Sequence, residues 1–250
     1  MSGHSKWSQI KRQKGVADAR RGQLFTKLGR EITVAAREGG ADPDANARLR
    51  LAVQKAREAN MPMDTIERAI KRGAGGGEGA ALDEVTYEGY GPGGAAILVE
   101  AMTDNRNRSV AEIRNALSRG GGNLGEAGCV AWLFDARGVI TVDANGQDPD
   151  ELALKAIDAG ADDVRVDASM LEVYTEPANL DAVRAALERE QLNVTSAETA
   201  MVPKATVEAD PKEAVAVLKL MERLEELDDV QRVYTNVEFN DEVLSQFAGR

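Results

Sequence analysis

The sequence predicts an α+β protein: an N-terminal three-helix domain is followed by two α/β sandwich domains, the third domain being inserted in the second. Three observations predict this class. Residues 18–72 show helical spacing and no strand pattern, residues 73–79 form a glycine-rich linker, and the later residues alternate strands with helices. The predicted domain boundaries are 1–78, 80–135 together with 207–250, and 136–206.

Apolar spacing and a capping pattern predict two helices of the first domain. Leu24, Leu28 and Ile32 recur on one helix face, which predicts a helix from about residue 18 to residue 38. Asp64 with Glu67 forms a capping-box pattern, which predicts a short helix that ends near residue 73.

Three Asp-Pro pairs predict further helix starts. Asp can cap the free backbone N–H groups, and Pro fits the first helical position because its missing N–H has no partner there. The pairs Asp42-Pro43, Asp148-Pro149 and Asp210-Pro211 therefore open helices that run to about residues 60, 160 and 226.

The second and third domains are predicted from strand patterns. Strands Val85–Tyr90 and Ala95–Met102 flank a Gly-Pro-Gly-Gly turn, which predicts a hairpin. A helix at 108–119, a glycine-rich loop at 120–128 and a strand at Cys129–Phe134 follow. Residues 138–203 then give strands at 139–142, 163–166, 170–174 and 196–202, with helices at 149–159 and 178–190. A last helix at 210–226 and a strand at 230–237 complete the second domain, because residues 80–134 supply three strands but one helix.

Charge is distributed unevenly along the chain. Residues 1–30 hold eight Lys/Arg and one Asp/Glu, and residues 1–72 hold 16 against 8, a net charge of +8. Because the whole chain carries −11, residues 73–250 carry −19. This polarity favours a protein that contacts a polyanion with its N-terminal end. The alternative is a solvated basic face that balances the acidic body.

Side chains for enzyme chemistry are scarce. His4 is the single histidine, and the single cysteine, Cys129, has no second histidine to activate it. No P-loop, HExxH, CxxC or GxSxG motif occurs. We therefore expect a non-enzymatic protein without cofactor or metal ion. We also expect a cytoplasmic protein without membrane contact, because no apolar run reaches the length of a span and the N-terminus lacks the apolar region of a secretory signal.

Three features are candidate nucleic-acid contacts. In the basic N-terminal segment, Trp7 either stacks on an unpaired base or packs on the helical bundle. At the start of the helix near Asn105, backbone N–H groups and two arginines either bind phosphate or form a capping turn with solvated arginines. The loop Gly120–Gly128 either approaches an RNA backbone or only connects its neighbours. The candidate contact residues are Lys6, Trp7, Lys11, Arg12, Lys14, Arg20, Arg21, Lys27, Arg30, Arg106 and Arg108.

Long motifs identify a family resemblance. GHSKW at 3–7, the segment 19–62, YEGYGPGGAAILVEAMTDNRNRSVAEIR at 87–114 and GGNLGEAGCVAWLF at 121–134 closely resemble the YebC/PmpR family. The resemblance covers essentially the whole chain and implies a three-domain, non-enzymatic protein. It implies a regulator of one of two kinds. Some members are reported as DNA-binding transcription regulators, and others resemble ribosome-associated factors that relieve stalling on proline-rich nascent chains.

We expect a nucleic-acid-binding regulator of gene expression, with ribosomal RNA as the favoured target. No helix-turn-helix with base-reading side chains at its start is evident, and basic tails with glycine-rich loops suit irregular RNA better than a regular groove. A ribosomal factor would be a monomer. The alternatives are a DNA-binding transcription regulator, expected to be a dimer, and a protein-interaction module whose acidic body is the functional surface.

Overall fold

The described residues of the helical domain form three helices that share one apolar core. The computed structural model describes residues 18–75, 81–167 and 169–248. Helices α1 (Asp18–Gly39), α2 (Ala47–Glu58) and α3 (Met63–Gly73) pack together without a strand among their described residues. Each helix contributes apolar side chains at helical spacing, and the core includes Leu28, Ile32, Leu49, Val53 and Ile66.

The predicted start of the second helix is wrong. Residues 42–45 form a turn closed by a hydrogen bond from the Ala45 N–H to the Asp42 carbonyl oxygen. The cap of α2 is instead Asn46, whose side-chain oxygen accepts a hydrogen bond from the Leu49 N–H at 3.1 Å. The Asn46 amide also donates to the carbonyl oxygens of Ala35 and Gly40, both at 2.8 Å. These hydrogen bonds satisfy the buried side chain of Asn46 and thereby fix the start of α2 directly after this residue.

Gly73 allows α3 to approach α1 closely. A methyl group at this position would lie 2.3 Å from the carbonyl oxygen of Thr33 and 2.7 Å from the Cβ atom of Ala36. The Thr33 hydroxyl reinforces the contact by donating to the carbonyl oxygen of Ala69 at 3.2 Å. The junction of α1 and α3 therefore requires a glycine for steric reasons.

The second domain is a four-stranded antiparallel sheet with the order β3-β1-β2-β9. Strands β1 (Asp83–Tyr90) and β2 (Ala96–Thr103) form the predicted hairpin, and β9 (Val230–Thr235) pairs with β2 from the far end of the chain. Helices α4 (Arg106–Arg119) and α7 (Pro211–Glu225) pack on this sheet and form its core with residues such as Ile97, Val99, Ile113, Val217 and Val233. The smaller elements are β3 (Asn123–Leu124), β8 (Val207–Glu208), β10 (Val237–Glu238) and α8 (Asp241–Ala248).

Some short elements differ from the sequence prediction. The predicted strand Cys129–Phe134 is wrong: Ala131–Leu133 forms a short 3-10 helix, and the strand begins only at Phe134. The backbone N–H groups of this segment bond to a buried glutamate and so are not available for a sheet ladder. The parallel pair of β8 and β10, and the helix α8, are elements that the sequence patterns did not predict.

The third domain is a second four-stranded antiparallel sheet with the order β5-β6-β4-β7. Its strands are β4 (Phe134–Asp143), β5 (Asp163–Asp167), β6 (Met170–Thr175) and β7 (Asn193–Pro203), and its helices are α5 (Pro149–Asp158) and α6 (Leu180–Arg189). Residues Phe134–Lys204 form one compact unit, whereas the described residues before and after them form another. The α+β class with a domain inserted in the second sheet is thus confirmed. Among the described residues, no helix is long and apolar enough to cross a membrane.

Candidate nucleic-acid interface

The carboxylate of Asp229 joins the helical domain to the second domain. Asp229 directly precedes β9 and is only 2% exposed. Its oxygens accept hydrogen bonds from Arg30 of α1 at 2.7 Å and from Arg108 of α4 at 2.8 Å. The hydroxyls of Ser109 and Thr103 donate to it at 2.7 and 3.0 Å. These five residues, here called the Asp229 cluster, link three separate stretches of the chain.

Hydrogen bonds keep Asp229 ionised in the Asp229 cluster. Burial by itself would raise the pKa of this carboxyl, but bonds from Ser109, Arg108, Arg30 and Thr103 outweigh burial and lower the pKa to about 2. The same contact, together with Asp104, raises the pKa of Arg108. The cluster therefore holds an ionised, buried carboxylate between two guanidinium groups.

Two predicted nucleic-acid contacts, Arg30 and Arg108, thus have partners within the molecule. The same guanidinium nitrogen of Arg30 also donates to the carbonyl oxygens of Met102 at 2.9 Å and Asp228 at 2.8 Å. Arg108 additionally contacts Asp104 at 2.8 Å, and its side chain is 42% exposed. Arg108 therefore keeps a solvent-facing part, whereas Arg30 holds two domains together.

A third predicted contact, Lys27, also faces the second domain. Its ammonium group donates to the carbonyl oxygen of Glu225, the last residue of α7, and the neighbouring side chain of Gln23 donates to the carbonyl oxygen of Glu226. A cation at the C-terminal end of a helix satisfies unpaired carbonyl groups and interacts favourably with the helix dipole. Lys27 and Arg30 of α1 are therefore used for domain docking.

Arg106 and Asn105 lie at the start of α4. Arg106 donates to the carboxylate of Asp83 at 2.8 Å, and both side chains are exposed. Asn105 is the cap of the helix, since its side-chain oxygen accepts from the Arg108 N–H at 3.1 Å. The capping turn is therefore present. Phosphate binding by Arg106 and Arg108 stays a prediction.

The other predicted contacts lie at the N-terminal end. Lys6, Trp7, Lys11, Arg12 and Lys14 lie outside the described residues. Arg20 and Arg21 lie in the first turn of α1, and Arg21 is exposed. Their contact with nucleic acid stays a prediction.

Helix α3 carries exposed cations that are not among the contact residues predicted from the sequence. Arg68, Lys71 and Arg72 are all exposed, and Arg68 contacts Asp64 and Thr65 of its own helix at 3.0 and 3.1 Å. A cleft of about 580 Å³ lies beside this face, between α1 and α3. It is lined by Phe25, Thr26, Gly29, Arg30, Met61, Thr65, Arg68, Ala69, Arg72, Leu82 and Asp104. The sequence carries one sign of this face, because Thr65, Arg68 and Arg72 recur at the spacing that places them on one side of a helix.

A second buried carboxylate, Glu88 of β1, organises the glycine-rich loop. Its Oε1 atom accepts from the Gly128 N–H at 2.6 Å, and its Oε2 atom accepts from the N–H groups of Val130 and Ala131 at 2.7 Å. Burial would raise the pKa of Glu88, but the three backbone bonds together lower it. Glu88 therefore fixes the turn that follows the loop.

Two exposed aromatic side chains meet at this turn. Tyr90 and Trp132 both donate to the carbonyl oxygen of Cys129 at 3.2 Å. The indole of Trp132 is 65% exposed, although its N–H is fixed. The sequence pattern predicted an apolar strand at Cys129–Phe134, which includes Trp132. The Glu88 bonds that prevent this strand come from a residue 40 positions or more away and leave no local signal.

Two family models match this chain, one over the helical domain and one over the parts that follow it. The TACO1/YebC protein N-terminal domain matches residues 5–76, and the TACO1/YebC second and third domain matches residues 82–237. The chain belongs to the TACO1/YebC family. The resemblance found in the sequence motifs is thereby confirmed.

Relatives of this TACO1/YebC protein are similar over nearly their full length. A probable transcriptional regulatory protein from Herpetosiphon aurantiacus is 56% identical over 249 residues, which are 99% of each chain. Another from Dehalococcoides mccartyi is 55% identical over 247 residues, covering 99% of this chain and 98% of the relative. The crystal structure of a conserved hypothetical protein from Aquifex aeolicus is 48% identical and superimposes with a TM-score of 0.83, covering 91% of this chain and 94% of that one.

Proposed function

We propose that this TACO1/YebC protein regulates gene expression by binding nucleic acid through its helical domain, with ribosomal RNA as the target. In this proposal it acts in the cytoplasm as a non-enzymatic, monomeric factor that relieves ribosome stalling at proline-rich sequences. The names of its relatives support a regulatory role, and the charge of +8 on residues 1–72 supports a polyanionic partner.

One observation carries the proposal: two cations of α1 are used for domain docking, whereas the cations of α3 are exposed. Lys27 and Arg30 bond to the second domain and hold it in place. The cations of α3, including Lys71 and Arg72, face solvent beside a cleft. A solvated face that merely balanced the acidic body would require no such separation, whereas a phosphate-binding surface needs cations that are exposed on a fixed scaffold.

The distribution of charge along α3 favours RNA over the major groove of DNA. A recognition helix reads base edges mainly with residues near its N-terminal end. In α3 that end carries Asp64 and Glu67, which repel the phosphates on either side of a groove, and the cations lie at the other end. Irregular RNA can present its backbone to such a surface without groove insertion.

Sedimentation of the native protein with ribosomes through a sucrose gradient tests the proposal. We expect co-sedimentation at low salt and release at high salt; if six phosphates are contacted, log K should fall against log salt with a slope of about −4 on a single strand. Ribosome profiling of cells that lack the protein should show longer pauses at runs of proline codons. Binding that does not respond to salt would contradict contact through the basic face.

The second candidate function is transcription regulation through duplex DNA, which the names of the relatives favour. It predicts a dimer, because two-fold symmetric recognition of half-sites is the usual route to specificity on a duplex. Footprints at a few promoters, together with an unchanged pausing profile, would support this function over the ribosomal one.

A further inference from the structure

The cleft between α1 and α3, here called the α1–α3 cleft, combines cations with an apolar wall. Arg68 and Arg72 lie four residues apart on α3 and therefore share a face of the helix. Arg30 contributes from α1, and Phe25 and Met61 supply apolar surface. The cleft thus offers positive charge and an apolar contact to the same ligand.

The chemistry of the lining defines what fits. The exposed guanidinium groups of Arg68 and Arg72 outnumber the one carboxylate of the lining, that of Asp104, and favour an anionic group, whereas the charge of Arg30 is held by Asp229. Phe25 and Met61 favour a flat apolar group beside it. The volume of about 580 Å³ falls within the range of about 300–1,000 Å³ that is usual for small-ligand sites.

We propose that the α1–α3 cleft binds one unpaired nucleotide of an RNA strand. Arg68 and Arg72 contact its phosphate, and the base lies against the side of Phe25 and Met61. A paired base is stacked inside a duplex and cannot enter, so the cleft selects single-stranded or bulged RNA. The inference rests on the proposed function and names the part of the RNA that this surface recognises.

The cleft is formed before the ligand arrives. Arg30 is fixed by its bond to Asp229, so the α1 wall keeps its position relative to the second domain. Arg68 is held by an exposed pair with Asp64, which is a weak interaction that a phosphate can replace at little cost. Arg72 has no ion-pair partner in the part of the chain that the structure describes. A preformed site loses little conformational entropy on binding.

A matched pair of arginine substitutions tests the inference. Arg72 and Arg57 are both exposed and both lie in the last turn of a helix, but only Arg72 lines the cleft. With the full chain and a labelled oligoadenylate of about twelve nucleotides, a length that spans the usual site size, we compare Arg72→Gln with Arg57→Gln. We expect Arg72→Gln to weaken binding about tenfold, as the loss of a charged hydrogen bond does. Arg57→Gln should change it no more than about twofold, as for an exposed charge without a partner.

Two further RNA probes distinguish binding of a nucleotide in the cleft from a general attraction between opposite charges. On a blunt RNA duplex of the same length the two substitutions should have equal effects, because its bases are paired and cannot enter the cleft. An abasic ribose-phosphate strand keeps the phosphate that Arg72 contacts but has no base, so the parent protein should bind it more weakly than oligoadenylate. Equal effects on oligoadenylate would overturn the cleft site, and a salt-sensitive parent protein would then leave the proposed function intact. If the parent protein binds none of the probes, both proposals fail. Melting curves of the two variants should coincide, since both side chains are exposed.

Discussion

Arg30 donates a hydrogen bond to Asp229 at 2.7 Å, although 199 positions separate the two residues along the chain. The bond connects helix α1 with the loop that precedes β9. The same carboxylate also accepts a hydrogen bond from Arg108. Removal of any one of the three side chains therefore leaves a charge or a hydrogen-bond donor without its partner at a site with little access to water. The Asp229 cluster is therefore expected to contribute strongly to the stability of both domains.

The Asp229 cluster should make stability depend on acid pH. Because the pKa of Asp229 falls from 3.8 to about 2 on folding, the carboxylate stabilises the fold above its unfolded pKa. This contribution is lost as pH falls through the folded pKa, and it amounts to about 2 kcal/mol. We expect the difference in the free energy of unfolding between the parent protein and Asp229→Asn to shrink by that amount from about pH 5 to about pH 2. A difference that stays constant over this range would contradict an ionised, hydrogen-bonded Asp229.

Neighbouring arginines of α4 should differ in their effect on stability. Arg108→Gln removes bonds to a buried carboxylate and should lower the free energy of unfolding by about 1–3 kcal/mol. Arg106→Gln removes an exposed pair with Asp83 and should change it by about 0.5 kcal/mol or less. Urea titrations of the two variants measure both values. Equal effects would mean that Arg108 does not act through the Asp229 cluster.

Two helical glycines should respond to alanine in opposite directions. Gly73→Ala places a methyl group 2.3 Å from a backbone oxygen of α1 and should destabilise the helical domain by about 1–3 kcal/mol. Gly22→Ala in α1 meets no atom within 4 Å and should stabilise by about 0.5–1 kcal/mol, because alanine is the better helix former. Thermal melting of the two variants checks the signs. Stabilisation by Gly73→Ala would mean that the helices can separate without cost.

Glu88→Gln should loosen the turn after the glycine-rich loop. The substitution replaces one acceptor oxygen by an amide group, which cannot accept from the backbone N–H groups that now bond to the carboxylate. We expect faster hydrogen exchange at Gly128, Val130 and Ala131, and a loss of about 1–3 kcal/mol in the free energy of unfolding. Exchange at residues of the third domain serves as the internal control. Unchanged protection of the three amides would show that other contacts hold the turn.

Local patterns were sufficient for most of the fold. The hairpin of β1 and β2, the helix that begins at Pro149 and the helix that begins at Pro211 are present as predicted, because their signals lie within a few residues. Two of the failures share one cause. The start of α2 depends on bonds from Asn46 to Ala35 and Gly40, and the turn after residue 128 depends on Glu88. Side-chain bonds to distant backbone groups overrode the local propensity in both places.

The candidate interface was harder to predict, because a basic residue on a helix gives no direct sign of what it faces. Lys27 and Arg30 lie beside the apolar face of α1, and this position was the available sign that they are docking residues. Their partners, at positions 225 and 229, are known only once the chain is folded. The exposed cations of α3 were overlooked since they lie outside the densest basic segment.

Phe134 and Pro203, the first and last strand residues of the third domain, are paired with each other in the sheet. The chain therefore leaves the second domain and returns to it through two strand ends that are paired side by side in the sheet. A domain attached in this way can be removed, enlarged or exchanged by recombination, because a short loop is enough to rejoin the two strand ends and closing a small loop costs little entropy.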